Sequence, residues 1–158
     1  MNNKDFVSKL KNLSACSETI EWIGDRDLKT AWNECEHADW MLWLACKMEI
    51  GSRQERIHAI CDCAETALTY VPKGEDRPRL AIEATRRYAD NPTEENRAAR
   101  AAAWATAVGD AAWAAAWAAA EAAAGDAARA AAWAAAGDAA EAAAHKKMCV
   151  MIREKIKP

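Results

Sequence analysis

Residues 98–144 hold 31 alanines in 47 positions, and the few large residues among them obey a spacing rule that limits how the chain can fold. The string Gly-Asp-Ala-Ala starts at Gly109, Gly125 and Gly137. From Gly109 on, every non-alanine residue except three aspartates falls on one four-residue row: Gly109, Trp113, Trp117, Glu121, Gly125, Arg129, Trp133, Gly137, Glu141, His145. A helix turns about 100° per residue, so each four-residue step drifts about 40° and the row circles an unbroken helix roughly once. Trp104, Trp113, Trp117 and Trp133 would then point in several directions, and such a helix must be enclosed by neighbours or bear exposed indoles. If each Gly-Asp pair instead ends one helix and caps the next, every large residue can turn inward within its own short segment. Asp138 with Glu141 three residues on even makes a capping-box-like start. Against breaks stands the modest cost of Gly inside a helix, about 1 kcal/mol relative to Ala. Short helices are the reading taken here, and a long helix buried by the others is the alternative. In both, methyl-sized side chains let backbones approach to about 8 Å, with the indoles supplying most of the apolar burial.

The rest of the composition points to an all-α, multi-helix bundle. Six glycines and four prolines sit almost entirely where helices would stop, and β-branched residues are scarce and never alternate. The 158 residues fit one all-α domain, 1–158, with N-terminal helices over 4–92, an Ala/Trp-rich helical region over 93–146 and a C-terminal helix over 147–158. A net charge of -3 with both signs interspersed argues against nucleic acid or an anionic membrane held by a basic patch. The opening MNNKDFVSKLKNL lacks an apolar signal core, and Asp110, Glu121, Asp126 and Arg129 interrupt the alanines, so a cytoplasmic protein without a membrane span is expected.

Cys16, Cys35, Cys46, Cys61, Cys63 and Cys149 form no CxxC pair. Cys61 and Cys63 point about 200° apart on a helix, and of the nearby ligand types only His58 and Cys61 share a face. Buried reduced thiols are expected rather than a metal site, and no cofactor is implied.

Along the chain, residues 4–13 form an amphipathic helix through Phe6, Leu10 and Leu13. Residues 17–23 form a second, stopped by Gly24-Asp25, and Asp27 opens a third carrying Ala31 and Trp32. Asp39 caps the next, whose run Trp40-Met41-Leu42-Trp43-Leu44-Ala45-Cys46 is apolar on every face and is expected to be buried, its tryptophans as core aromatics or as a ligand platform. Gly51-Ser52 resets the chain for a helix from 53 to about 70, with Ile57, Ile60, Cys61, Ala64 and Leu68 on one stripe. Pro78 suits the first turn of another, which ends before Pro92, and Thr93 caps the entry to the alanine-rich region. Met148, Met151, Ile152 and Ile156 line the last.

Two groups of side chains are binding candidates. Arg77 and Arg79, with Arg86 and Arg87 nearby, can grip a phosphate or carboxylate, or can form ion pairs with Glu75, Asp76 and Glu83. Trp104, Trp113, Trp117 and Trp133 with Arg100 and Arg129 can stack and pair a nucleotide, or can be core indoles with arginine stems over them; Arg100–Trp104 and Arg129–Trp133 are each four apart and can meet on one helix face. His145 with Glu141 is an acid–base pair by spacing, but no nucleophile, metal set or phosphate loop accompanies it, so no catalytic residue is assigned. The acidic residues Asp110, Glu121, Asp126, Asp138 and Glu141 can imitate nucleic acid, though three read better as caps.

The segment Glu75-Asp76-Arg77-Pro78-Arg79-Leu80-Ala81-Ile82-Glu83-Ala84-Thr85-Arg86-Arg87-Tyr88-Ala89 resembles a D-x-R-P-R-x-A-I-E-A-x-R motif of the immunity-protein family of bacterial toxin–immunity loci and phage genomes, with Glu75 at the motif's first position. Gly24-Asp25-Arg26-Asp27-Leu28, Asp39-Trp40-Met41-Leu42-Trp43-Leu44, Asn91-Pro92-Thr93-Glu94-Glu95, the Ala/aromatic stretch and Met151-Ile152-Arg153 resemble phage-type members. His37-Ala38 departs from the family, whose members more often carry Arg-Gly there. The resemblance implies a non-catalytic protein that neutralises a target in a conflict between genomes. Its partner is then a protein toxin or defence effector. The aromatic and arginine residues offer the alternative of a sponge for a small nucleotide signal, its pocket formed across a homo-oligomer interface.

Overall fold

The computed structural model describes residues 1–71, 73–106 and 138–158. Among these the chain is all-α: eight α-helices, one 3-10 helix and no strand. The expected breaks at Gly109-Asp110, Gly125-Asp126 and Gly137-Asp138 lie outside the described residues. The chain divides into two compact units, Met1–Cys35 with Pro158, and Glu36–Lys157.

The first unit holds α1 (Asn3–Asn12), α2 (Ser17–Ile23) and α3 (Leu28–Glu34). Asn2 caps α1 by accepting from the Asp5 amide, and Phe6 and Leu10 are its buried stripe. The helix ends with Ser14 in the left-handed region at φ 60° and the Ala15 amide donating back to the Leu10 carbonyl, a Schellman closure. Gly24 does stop α2, but not as a left-handed cap. At φ 49°, ψ -120° it fills the first central position of a type II′ turn, closed by the Arg26 amide on the Ile23 carbonyl at 2.9 Å. Asn3 Nδ2 steadies that turn by donating to the carbonyls of Gly24 and Arg26 at 2.7 and 2.8 Å. The cap of α3 is then Asp27, which accepts from the Thr30 amide, so Asp25 is turn rather than cap.

The second unit comprises α4 (Ala38–Lys47), α5 (Arg53–Glu65) with a 3-10 extension (Thr66–Tyr70), α6 (Arg77–Asp90), α7 (Glu94–Thr106) and α8 (Asp138–Lys155). Helix α5 packs against α4, α6 and α8, while α6 also carries α7. Ser52 opens α5 with a complete capping box to Glu55, as Ser-x-x-Glu spacing dictates. The helix expected to reach residue 70 tightens into 3-10 geometry after Glu65. Ile57, Ile60, Cys61, Cys63 and Ala64 bury from α5, Ala81, Ile82 and Ala84 from α6, and Met148, Cys149 and Ile152 from α8, with Ile156 just past its end. Ala103 of α7 packs on buried Ala81, a methyl-on-methyl contact of the kind an alanine-rich helix favours. Helix α8 runs unbroken through residues 146 and 147, where the sequence reading begins a separate final helix.

Two expectations for α4 fail. The first is the cap, which falls on His37 with Asp39 inside the first turn, where a carboxylate still favours the helix dipole. The second is all-round burial. Ala38, Met41, Leu42, Leu44 and Ala45 are buried, but Trp40, Trp43 and Cys46 are only partly so, and Lys47 is exposed. The helix has a dry arc of aliphatic residues and a wetter arc that carries both tryptophans. Indoles tolerate that position because they present a polar N–H as well as an apolar body. Among the described residues no helix is long and apolar enough to cross a membrane.

Candidate binding surfaces

The Arg-Pro-Arg segment builds the start of α6. Pro78 occupies the first turn, where its missing N–H is no loss, and is buried. The Arg77 Nε donates to Glu75 Oε1 at 2.6 Å and its Nη2 pairs with Glu75 Oε2. That guanidinium holds the Glu75 carboxyl down at about 2. Arg79 spans Asp76 and Glu83 at 3.2 and 2.6 Å. Arg86 leaves this group altogether: it crosses to α5, meeting Glu65 at 2.9 Å and Asp62 at 2.6 Å. Those carboxylates, Glu65 first, hold its guanidinium above the usual arginine range. Lys155 of α8 approaches Asp62 from the other side at 3.6 Å, so the network ties three helices. These arginines are therefore each engaged by carboxylates and do not converge on an anion site.

Where the start of α5 meets the end of α6 and the middle of α7, a different cluster forms. The Arg100 guanidinium carbon lies 4.8 Å from the centre of the Tyr88 ring, and that of Arg53 lies 5.4 Å from the same ring. Arg100 thus lies over the Tyr88 ring; the expected pair with Trp104 falls on a side chain outside the described residues. Beside them, Asp90 Oδ1 accepts from Gln54 Nε2 and meets His58 Nε2, each at 2.7 Å. The imidazole first, and then the amide, holds the Asp90 carboxyl below its ordinary value. An aspartate at the last position of a helix faces the negative end of the dipole, and these two donors offset that. Sequence alone does not single out Tyr88, Arg53 or Asp90, and it places His58 beside Cys61 rather than beside Asp90. The local sign was Arg53 itself, a cation at the first position of a helix.

The wetter arc of α4 is the second surface. His37 stacks on Trp40 with ring centres 3.9 Å apart and planes inclined by 18°. Trp43 follows one turn on and Lys47 a turn later. Helix α8 borders this row. His145 Nδ1 accepts from the Ala38 amide at 3.2 Å and lies 3.7 Å from Asp39 Oδ1, while Lys146 pairs with Glu36 at 3.1 Å. The Nδ1 lone pair that accepts the Ala38 proton excludes simultaneous donation from the same atom to Asp39. The hydrogen bond is the closer contact and is taken as the operative one. His145 thus serves the start of α4 through Nδ1; the spacing-based pair with Glu141 falls on a side chain outside the described residues. Trp113, Trp117, Arg129 and Trp133 also lie outside them, as do the side chains of the other proposed mimicry carboxylates.

All six cysteines are free thiols. Cys35, Cys61, Cys63 and Cys149 are buried, and burial pushes the Cys61 thiol up to about 12 and Cys63 in the same direction. Such thiols pack as small apolar groups. Among the described residues no cluster of three His, Cys, Asp or Glu side chains is disposed to hold a metal ion. Compared with family models, curated proteins and solved structures, the chain matches none of them.

Proposed function

We propose that this protein is a non-catalytic binding protein that neutralises a target in a conflict between bacteria and phages, acting in the cytoplasm as an immunity or anti-defence inhibitor of a protein toxin or effector. The observation that carries this reading is the placement of Trp40 and Trp43, with His37 stacked on the first, on the wetter arc of α4 instead of in the core. Partly exposed indoles are unfavourable in water, and Trp is among the residues that dominate protein–protein hot spots. The resemblance at Asp76-Arg77-Pro78-Arg79 points the same way. Its arginines fasten the start of α6, so the segment belongs to the scaffold that presents the binding surface. Co-expression with a panel of toxins and defence effectors tests the reading. The native chain restores growth or phage plating against a member of the panel, and Trp40→Ala combined with Trp43→Ala abolishes the rescue while helicity is retained.

A second reading, sequestration of a small nucleotide signal, is favoured by the juxtaposition of Tyr88 with Arg53 and Arg100, since rings stack bases and guanidinia pair phosphates. A nucleotide panel that raises the melting temperature and quenches tryptophan fluorescence supports it, and a panel without either response removes it.

A further inference from the structure

Beside Tyr88, the start of α5 carries a cation with no counter-charge among the described residues. Arg53 makes no hydrogen bond or ion pair from its guanidinium among the described residues, and its only partner there is the Tyr88 ring. Two carboxylates at the facing ends of α6 and α7, Asp90 and Glu94, are committed elsewhere. Asp90 Oδ1 takes Gln54 and His58, and Glu94 takes Arg97 through two contacts of 2.5 and 2.8 Å. Arg53 is also the first residue of α5, next to the positive end of the helix dipole, where a cation is disfavoured and an anion is favoured. A second guanidinium, Arg100, stands on the same ring.

A guanidinium lying over a ring is attracted to the ring face without using up its N–H donors. That attraction also holds the side chain in one place, which lowers the entropy lost on forming a hydrogen bond. We infer that Arg53 and Arg100, braced by Tyr88, form an oxyanion-binding subsite that takes the carboxylate or phosphoryl group of a ligand. The ligand's oxygens accept from the Arg53 fork and lie within the field of Arg100, neutralising the Arg53 charge that the described residues leave unmatched. Tyr88 is a positioning residue here, acting through its ring and not through its hydroxyl. The subsite shares no residue with the α4 face, so its failure and the failure of the target-binding reading are separate events.

The test is a titration of the full chain, labelled at the arginine side chains, with inorganic phosphate, sodium acetate and sodium chloride at constant ionic strength, read at the Nε–Hε resonances. Arg53 and Arg100 are expected to shift saturably with an oxyanion and not with chloride. Arg53→Gln weakens the response roughly tenfold, Tyr88→Ala weakens it, and Tyr88→Phe leaves it intact. Saturation by phosphate alone assigns a phosphoryl ligand such as a nucleotide, and saturation by acetate as well assigns a carboxylate from an acidic partner. Shifts that match those of chloride, or that persist unchanged in folded Arg53→Gln, overturn the inference.

Discussion

His145 Nδ1 accepts a hydrogen bond from the Ala38 amide across 107 residues of sequence, so the ring on α8 satisfies a free N–H at the start of α4. The cap residue of that helix, His37, makes no side-chain cap bond of its own. This one contact fixes how the helix following the alanine-rich stretch meets the helix bearing Trp40 and Trp43.

Replacing His145 by Ala removes that acceptor from a site where the side chain is only 12% exposed. The loss should destabilise the fold by about 1–2 kcal/mol, the range for removing a helix cap. His145→Asn, which keeps an acceptor oxygen, should recover part of it. Urea denaturation of the three proteins checks this, and equal midpoints would show that α8 does not cap α4.

Glu49 ends α4 in the left-handed region at φ 55°, with the Ile50 amide closing back on the Ala45 carbonyl at 2.9 Å. A side chain there costs roughly 1–2 kcal/mol, so Glu49→Gly should stabilise the protein by about 1 kcal/mol. Two residues on, Gly51 sits at φ 69°, and an added Cβ would meet Glu55 Oε2 at 2.9 Å and Ile156 Cγ2 at 3.2 Å. Gly51→Ala should therefore destabilise by at least ~1 kcal/mol, since both the backbone and the space oppose it. The opposite signs, read from thermal midpoints, distinguish the two positions.

Cys16 is the exposed thiol, while Cys35, Cys61, Cys63 and Cys149 are buried. Thiol alkylation at pH 8 followed by peptide mass spectrometry should label Cys16 first and partly exposed Cys46 later. The four buried thiols should react only on unfolding, because burial withholds access and, at Cys61 and Cys63, the thiolate form as well. Early labelling of Cys61 or Cys63 would contradict the packing of α5.

The Glu75 carboxyl is depressed from 4.5 to about 2 by Arg77. A depressed acid stabilises the fold above its unfolded value, and that stabilisation fades as pH falls from about 4.5 through 2. Because the pair is solvated the effect on stability is small, and the direct reading is the carboxyl carbon titration by NMR. A midpoint well below 4 is expected, rising towards the ordinary value in Arg77→Ala.

Local residues announced most of the fold. Ser52 with Glu55, Asp27, Pro78 and Thr93 each mark a helix start by chemistry that acts over three or four residues, and each does so in the structure. Asp39 was misassigned as a cap because the group that satisfies the start of α4 comes from His145, far away in the chain. The wetter arc of α4 was equally hidden: with every position from Trp40 to Cys46 apolar, periodicity cannot say which side faces water. The partnership of Tyr88 with Arg53 and Arg100 depends on three helices meeting, which no spacing rule encodes. The partners of Arg86, Asp62 and Glu65, come likewise from another helix, α5.

The central claim is that the α4 tryptophans bind a protein target and thereby neutralise it. Growth or plating rescue by the native chain, set beside rescue by the folded double variant Trp40→Ala with Trp43→Ala, measures it most directly. The account expects rescue by the native chain and none by the variant, and full rescue by the variant, or no rescue by either across the panel, would contradict it.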